Sequence, residues 1–191
     1  KDRDNMEERL RLLGIKNSDL LVMLNPGTDN HGKTWPKERF ISLIKEIFKT
    51  YEGVKIFIIG TIDEKTQGEE IKKLFNGNNI YNLAGETTLK ELGALLEKSD
   101  MLITNASSTM YLAAAVNCPV VAIFGPTNPY RYGPIGTRNI VVHSNLDCFP
   151  CNRRKRCRKD FLCLEKISVE QVLKAAMLIL DEKEQPLLFD L

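Results

Sequence analysis

Short apolar runs alternate with amphipathic segments along most of the chain. The runs are typical of strands buried on both faces, and all but the last end in Gly or Asn: residues 20–25, 54–60, 80–85, 101–105, 119–125 and 139–143. Apolar residues three or four positions apart predict helices between the runs and at both ends of the chain: residues 4–13, 36–48, 64–75, 89–99, 110–116 and 168–183. Buried strands joined by helices predict an α/β, Rossmann-like fold, in which a parallel sheet carries helices on both faces.

The last predicted helix has a defined start. Ser168 is expected to cap it, and Gln171 stands three residues later, as in a capping box. Its predicted apolar face comprises Val169, Val172, Ala176, Leu178, Ile179 and Leu180. At 191 residues and 43% hydrophobic content, we expect a single domain. Its parts are a leading helix (1–18), a Rossmann-like core (19–143), a cysteine-bearing loop (144–166) and a C-terminal helix and tail (167–191).

The loop after the first strand has the components of a phosphate site. Gly27 frees backbone N–H groups, Thr28 supplies a hydroxyl and Lys33 an ammonium, and a helix begins soon afterwards. A solvated turn is the alternative. The loop also satisfies the P-loop expression, but a P-loop lysine begins its helix directly, whereas here Pro36 delays the helix. A P-loop hydrolase is therefore the less favoured hypothesis.

Three hydroxyl side chains crowd the helix start after the fourth strand. Ser107, Ser108 and Thr109 follow this strand, and hydroxyls with free N–H groups at a helix start can bind an anion. One of these hydroxyls is expected to cap the helix, and the alternative is that capping is their whole role. A third loop, residues 125–134, adds two tyrosines and Arg131 near the same edge. Ligands bind at this edge in Rossmann-like sheets.

Four of the five cysteines form a C-x2-C-x5-C-x5-C pattern in the irregular loop: Cys148, Cys151, Cys157 and Cys163. A loop with few apolar residues cannot bury a core of its own and needs a cross-link to hold its conformation. Four thiolates at this spacing predict that a structural zinc ion provides it. Disulfides and free thiols remain the alternatives. Cys118, which precedes a proline, is expected to be a plain core residue.

Charge is nearly balanced overall but concentrated in one place. Lys and Arg number 27 against 25 Asp and Glu, and six of the basic residues lie within residues 153–159. The basic run has three interpretations: a solvated loop, an anionic-lipid contact or a nucleic-acid contact. The third would make the chain a zinc-stapled nucleic-acid-binding or scaffold module, which is the alternative hypothesis for its function. We expect no nucleic-acid partner. No apolar stretch could span a bilayer and the chain begins with charged residues, which predicts a cytoplasmic protein.

Five segments in order carry a family resemblance. They are NPGTDNHGKTWPKERF, the glycine-ended second strand with Asp63-Glu64, NLAGETTLKELGALLEKSDMLITN, MYLAAAVNCPVVAIFGPTNP and the spaced cysteines. Together they resemble glycosyltransferase family 9, which includes the lipopolysaccharide heptosyltransferases. The resemblance implies the GT-B architecture of two facing Rossmann-like domains and identifies this chain with the C-terminal, donor-binding domain. The N-terminal acceptor domain is then the expected location of the general base.

The resemblance also implies roles for individual residues. Thr28 and Lys33 would contact the diphosphate of an ADP-type or similar nucleotide sugar, while Glu64 and the backbone near Thr87 and Leu89 would hold the nucleoside. The residues that would close on the phosphates and sugar are Ala106, Ser107, Ser108, Thr109 and Tyr111. Such enzymes invert the anomeric centre without a bound metal. For an enzyme of lipopolysaccharide-core assembly, residues 153–159 would contact anionic lipid of the inner membrane.

The chain departs from the family pattern in one segment. Where the family reads Asp, Ser or Thr, Gly, two further residues and His, this chain has Ala106, Ser107, Ser108 and, at the last position, Tyr111. The aspartate, glycine and histidine are missing. Because those groups lie near the donor sugar in the family, the departures leave heptose specificity open. A different nucleotide sugar is the preferred explanation, and a weakened or altered activity is the alternative.

Overall fold

The computed structural model of the chain describes residues 2–27, 34–77, 79–136, 138–152 and 157–184. Its strands are β1 (Leu20–Asn25), β2 (Val54–Ile58), β3 (Ile80–Asn82), β4 (Met101–Asn105), β5 (Val120–Phe124) and β6 (Asn139–His143). Its helices are α1 (Asp2–Leu12), α2 (Lys37–Thr50), α3 (Lys65–Lys72), α4 (Leu89–Glu97), α5 (Thr109–Ala115), α6 (Pro129–Tyr132), α7 (Leu162–Glu165) and α8 (Val169–Glu184), with a 3-10 turn at Ile62–Glu64.

The strands form one parallel sheet in the order β3-β2-β1-β4-β5-β6. The chain builds β2 and β3 on one side of β1 and then crosses back to build β4, β5 and β6 on the other. In register, Leu24 of β1 pairs with Ile58 of β2 and Ile103 of β4. The sheet confirms the predicted Rossmann-like fold. It also creates a switch point between β1 and β4, where a crevice opens at the carboxyl ends of the strands.

Each face of the sheet has its own buried cluster because successive strand side chains point to opposite faces. Val22 and Leu24 pack with α2, α3 and α8, whereas Leu21 and Met23 pack with α1, α4 and α5. The continuous apolar strands predicted from the sequence therefore reflect a sheet covered on both sides. Within the described residues, no helix has the length and apolar content needed to cross a membrane.

The structure confirms most predicted elements and corrects some details. The capping box of α8 forms, with Gln171 N donating to Ser168 Oγ at 3.1 Å and Ser168 N donating to Gln171 Oε1 at 2.8 Å. The assignment of Leu178 to the apolar face was wrong, since this side chain is 53% exposed. Leu178 lies two residues from both Ala176 and Leu180, which turns it about 200° away from that face. The short helices α6 and α7 were not predicted.

Candidate functional site

An open cleft of about 540 Å³ lies at the carboxyl ends of the strands, beside the switch point. Eight residues that the sequence predicts for the donor site line it: Gly27, Glu64, Leu89, Ala106, Ser107, Ser108, Thr109 and Tyr111. Thr87 is not among the lining residues. Thr28 and Lys33 lie outside the described residues. The fold thus brings together residues that follow four different strands, up to 84 positions apart, as Gly27 and Tyr111 are.

Two glycines make room for the Glu64 carboxylate at one end of the cleft. Glu64 lies in the 3-10 turn after β2, where its Oε2 accepts a hydrogen bond from Thr61 N at 2.7 Å. A Cβ atom at Gly27 or at Gly60 would overlap the Glu64 side chain. The absence of a side chain at both positions therefore allows the carboxylate to lie between the ends of β1 and β2.

Asn105, the last residue of β4, holds both ends of the predicted phosphate loop. Its Nδ2 donates to Pro26 O at 2.8 Å and its Oδ1 accepts from Trp35 N at 2.9 Å. The side chain is fully buried, at 0% exposure. Because these two contacts lie on either side of the segment that contains Thr28 and Lys33, Asn105 fixes where that segment leaves and rejoins the fold.

The hydroxyls after β4 bond to strand residues and do not cap α5. Ser108 occupies the N-cap position of α5 without a side-chain hydrogen bond to the helix. Ser107 Oγ lies 3.0 Å from Thr104 Oγ1, and Thr109 Oγ1 accepts a hydrogen bond from Asn25 Nδ2 at 2.8 Å. The expectation of a capping hydroxyl was wrong here, because buried polar side chains of β1 and β4 compete for these hydroxyls.

Tyr111 links two sides of the cleft. Its hydroxyl donates to Tyr132 O at 2.9 Å, which ties α5 to α6, and its side chain is 43% exposed. Ala106, at another of the three departures from the family pattern, is 5% exposed and brings no charge. These two residues give the cleft a neutral wall where the family pattern has an acid and a histidine.

The described lining of the cleft carries one carboxylate and no cation. Glu64 is the acid, and no Lys, Arg or His side chain is among the described residues that line the cleft. The hydroxyls and amides of the lining are neutral donors and acceptors. An anionic ligand therefore needs positive charge from elsewhere, and Lys33 of the adjoining loop is the lysine or arginine nearest in sequence to Gly27.

A family model decides the relationship of this chain to known proteins. The model of glycosyltransferase family 9 (heptosyltransferase) matches residues 2–161, which is most of the chain. The chain belongs to this family. The resemblance inferred from five sequence segments is thereby confirmed.

Relatives of known name share this family 9 fold. The lipooligosaccharide heptosyltransferase 2 of Campylobacter jejuni is 29% identical over 165 residues, which cover 85% of this chain and 51% of that protein. A family 9 glycosyltransferase of Veillonella parvula matches with a TM-score of 0.79 at 27% identity, over 95% of this chain and 52% of its own. The Escherichia coli ADP-heptose lipopolysaccharide heptosyltransferase II matches with a TM-score of 0.78 at 24% identity, over 96% and 52%. The chain spans about half the length of these relatives.

The cysteines of the family 9 chain are free thiols in different surroundings. Cys148 is exposed, Cys151 and Cys157 are half-buried, and Cys163 is buried. The pKa of Cys163 is raised to about 11, mainly by burial and to a smaller extent by the neighbouring cysteines, while a backbone hydrogen bond with Leu164 lowers it. Across the described part of the chain, no group of three or more His, Cys, Asp or Glu side chains is arranged to hold a metal ion. Among the described residues the four cysteines are therefore not clustered as zinc ligands, and the zinc site stays a prediction.

Cys118 is a core residue, as predicted. It is 3% exposed, and burial raises the pKa of its thiol to about 12. Its sulfur lies near the backbone oxygen atoms of Ser99 and Pro119. Cys118 therefore has no part in the cleft or in the cysteine-bearing loop.

The cysteine-bearing loop packs against one border of the cleft. Asn152 N donates to Pro126 O at 2.7 Å, and Asn152 Oδ1 accepts from Asn128 N at 3.0 Å. Leu164 of α7 lies where a side chain at Gly125 would otherwise be. The loop after β5, which places Thr127 in the cleft, is therefore held by the cysteine-bearing loop.

Sequence reasoning did not name several lining residues: Asn25, Gly60, Thr61 and Leu92. It placed the loop 125–134 at this edge without assigning a role to Thr127 or Tyr132, which both line the cleft. A signal existed for Asn25 and for Asn105, because each is a polar residue that ends a buried apolar run. Polar residues at that position meet at one edge of a parallel sheet. The partners of these side chains depend on strand order, which the sequence pattern does not specify.

Proposed function

We propose that this chain is the donor-binding domain of an inverting glycosyltransferase. The enzyme moves heptose or another sugar from a nucleotide diphosphate sugar to an acceptor of the lipopolysaccharide-core type. The observation that carries the proposal is the location of the cleft at the β1/β4 switch point of a family 9 chain. An ADP-type donor is favoured, because one E. coli neighbour is an ADP-heptose enzyme by name and another is an E. coli heptosyltransferase with ADP.

The charge of the cleft supports a role for Lys33. A diphosphate brings negative charge into a cleft whose described lining carries Glu64 and no cation. Lys33 lies in the segment that Asn105 holds at both ends, and its ammonium would balance the phosphates. As the nucleotide leaves, negative charge grows on its diphosphate, and a fixed cation stabilises that charge. Other glycosyltransferases assign this role to a divalent ion, so we propose catalysis without a bound metal.

The proposed enzyme needs a second domain. An N-terminal acceptor domain would supply the general base and face the cleft. Residues 153–159 would contact anionic lipid of the inner membrane, where each basic residue contributes about 1 kcal/mol. Arg158 and Lys159 of this run are exposed, and Arg153 to Arg156 lie outside the described residues.

Calorimetric titration tests the donor site directly. We expect ADP to bind more tightly than UDP, GDP or CMP. Lys33→Ala should weaken ADP binding by about tenfold or more, since a hydrogen bond to a charged group contributes about 1.5–3 kcal/mol. Lys45→Ala is the matched control, because Lys45 is an exposed lysine of α2 that does not line the cleft. Absence of binding heat with all four nucleotides, or unchanged affinity in Lys33→Ala, contradicts the proposal.

We also propose a structural zinc ion at Cys148, Cys151, Cys157 and Cys163. The ion would draw the four thiolates together and so add to the stability of a loop with little apolar content. Elemental analysis of chain purified without chelators should find about one zinc per chain, and Cys157→Ser should lose it. Cys118→Ser, in the core, should retain it. If the wild-type chain contained no zinc after its host had been grown in medium supplemented with zinc, the proposed site would be refuted.

A further inference from the structure

Three buried side-chain atoms have no hydrogen-bond partner among the described residues: Asn25 Oδ1, Thr127 Oγ1 and Ser144 Oγ. Buried polar atoms are nearly always paired, because an unpaired one has lost water without gaining a partner. Asn25 and Thr127 line the cleft, whereas Ser144 does not. Asn25 is only 4% exposed and Thr127 only 3% exposed. The two unpaired atoms of the cleft therefore point to a ligand that completes their hydrogen bonds.

The orientation of the Asn25 amide follows from a chain of hydroxyls. Thr104 Oγ1 donates its proton to Asn105 O at 2.9 Å. Ser107 Oγ must then be the donor in its 3.0 Å contact with Thr104 Oγ1. With its proton used, Ser107 Oγ can only accept from Asn25, whose Nδ2 lies 3.5 Å away. The atom of Asn25 that faces the hydroxyls is therefore the NH2 group, and the unpaired atom is the amide oxygen.

An amide oxygen accepts hydrogen bonds and cannot donate them. A phosphate oxygen is also an acceptor and would be repelled from this position. The group that Asn25 Oδ1 can bind must therefore carry a hydrogen on oxygen or nitrogen. A nucleotide sugar has such hydrogens on the hydroxyls of its ribose and of its transferred sugar.

We propose that Asn25 Oδ1 and Thr127 Oγ1 bind sugar hydroxyls of the donor and help to select it. The inference rests on the proposed function and adds two recognition residues to it. Thr127 is suited to the role because the backbone on both sides of it is fixed, through Pro126 O and Asn128 N, by Asn152. Asn25 is suited because its other amide atom is held by Thr109 at 2.8 Å. These contacts hold the Thr127 backbone and the Asn25 amide, and because the two unpaired atoms have almost no accessible surface, a sugar hydroxyl reaches them only when a neighbouring group moves aside.

Thr127→Val tests the proposal with little change of shape. Because Thr127 Oγ1 has no partner within the described chain, the variant should melt at the wild-type temperature or above it. Its affinity for ADP, for ADP-heptose or for both should fall about five- to tenfold, the effect of one hydrogen bond. A loss with both ligands places the partner of the hydroxyl on the ADP moiety, where comparison with 2′-deoxy-ADP tests the ribose, and a loss with ADP-heptose alone assigns it to the transferred sugar. Asn25→Leu should weaken the same ligand, with folding checked by circular dichroism.

Ser144→Ala is the matched control. It removes the third unpaired buried atom, a hydroxyl that lies outside the cleft, so it should keep the wild-type affinity for both ligands. If Thr127→Val bound both ligands as tightly as the wild-type chain does, this inference would be overturned. The proposed function would remain intact, because the wild-type chain would still bind the nucleotides. Failure of the wild-type chain to bind any nucleotide would instead remove the proposed function on which the inference rests.

Discussion

Trp35→Ala should lower the free energy of unfolding by about 3–5 kcal/mol, the usual cost of replacing a buried tryptophan with alanine. Trp35 has 0% exposure, packs edge-on against Phe40 with ring centroids 4.9 Å apart, and donates from Nε1 to Ile167 O at 3.0 Å. The indole thus joins the start of α2 to the start of α8. Removing it leaves a cavity that the surrounding helices can fill only in part.

Urea denaturation followed by far-ultraviolet circular dichroism measures this effect, because Trp35 is the only tryptophan and its fluorescence is lost in the variant. Leu178→Ala provides the comparison, since Leu178 is 53% exposed on α8. Its unfolding free energy should change by less than about 0.5 kcal/mol. If Trp35→Ala and Leu178→Ala unfolded at the same urea concentration, the packing described for the indole would be wrong.

Asn105→Ala should cost about 2–6 kcal/mol of stability, because it leaves Pro26 O and Trp35 N unpaired and each buried group costs about 1–3 kcal/mol. It should also weaken ADP binding about tenfold or more, since the segment with Thr28 and Lys33 is no longer fixed at its two ends. The affinity loss distinguishes a positioning residue of the site from a residue that only stabilises the core. Titration well below the melting temperature of the variant separates the two effects.

Asn79→Ala serves as the control for Asn105→Ala. Asn79 is exposed, and its Oδ1 accepts only from Lys55 among the hydrogen bonds described. The change should leave unfolding within about 0.5 kcal/mol of wild type and leave ADP affinity unchanged. An Asn105→Ala chain that binds ADP as wild type does would show that Asn105 acts on stability alone.

The elements were predictable because their signals are local. A strand buried on both faces needs apolar side chains at every position, so β1 and β4 can be read from LLVMLN and MLITN without knowledge of the rest of the fold. Helices α6 and α7 were missed because each has only four residues, too few to show a helical period. Their conformations follow from packing beside the cleft and the cysteine-bearing loop.

The position of the cleft was predictable in outline, but its internal contacts were not. Ligands bind at the carboxyl edge of a parallel sheet, so the residues after each strand could be named in advance. Whether a hydroxyl there caps a helix or bonds to a strand depends on which strands are neighbours. Ser107 and Thr109 meet Asn25 because β4 pairs with β1, 82 and 84 residues away in sequence.

The sequence by itself determined the class of fold, the family and the edge of the sheet that carries the site, because residue type and spacing set local conformation and burial. Only the tertiary structure decided that Glu64 lies against Gly27 and Gly60, that Asn105 holds both ends of the predicted phosphate loop, and that the amide oxygen of Asn25 has no hydrogen-bond partner among the described residues. These contacts join residues far apart in the chain. Strand order and register set their distances, and neither is encoded in the period of any single segment.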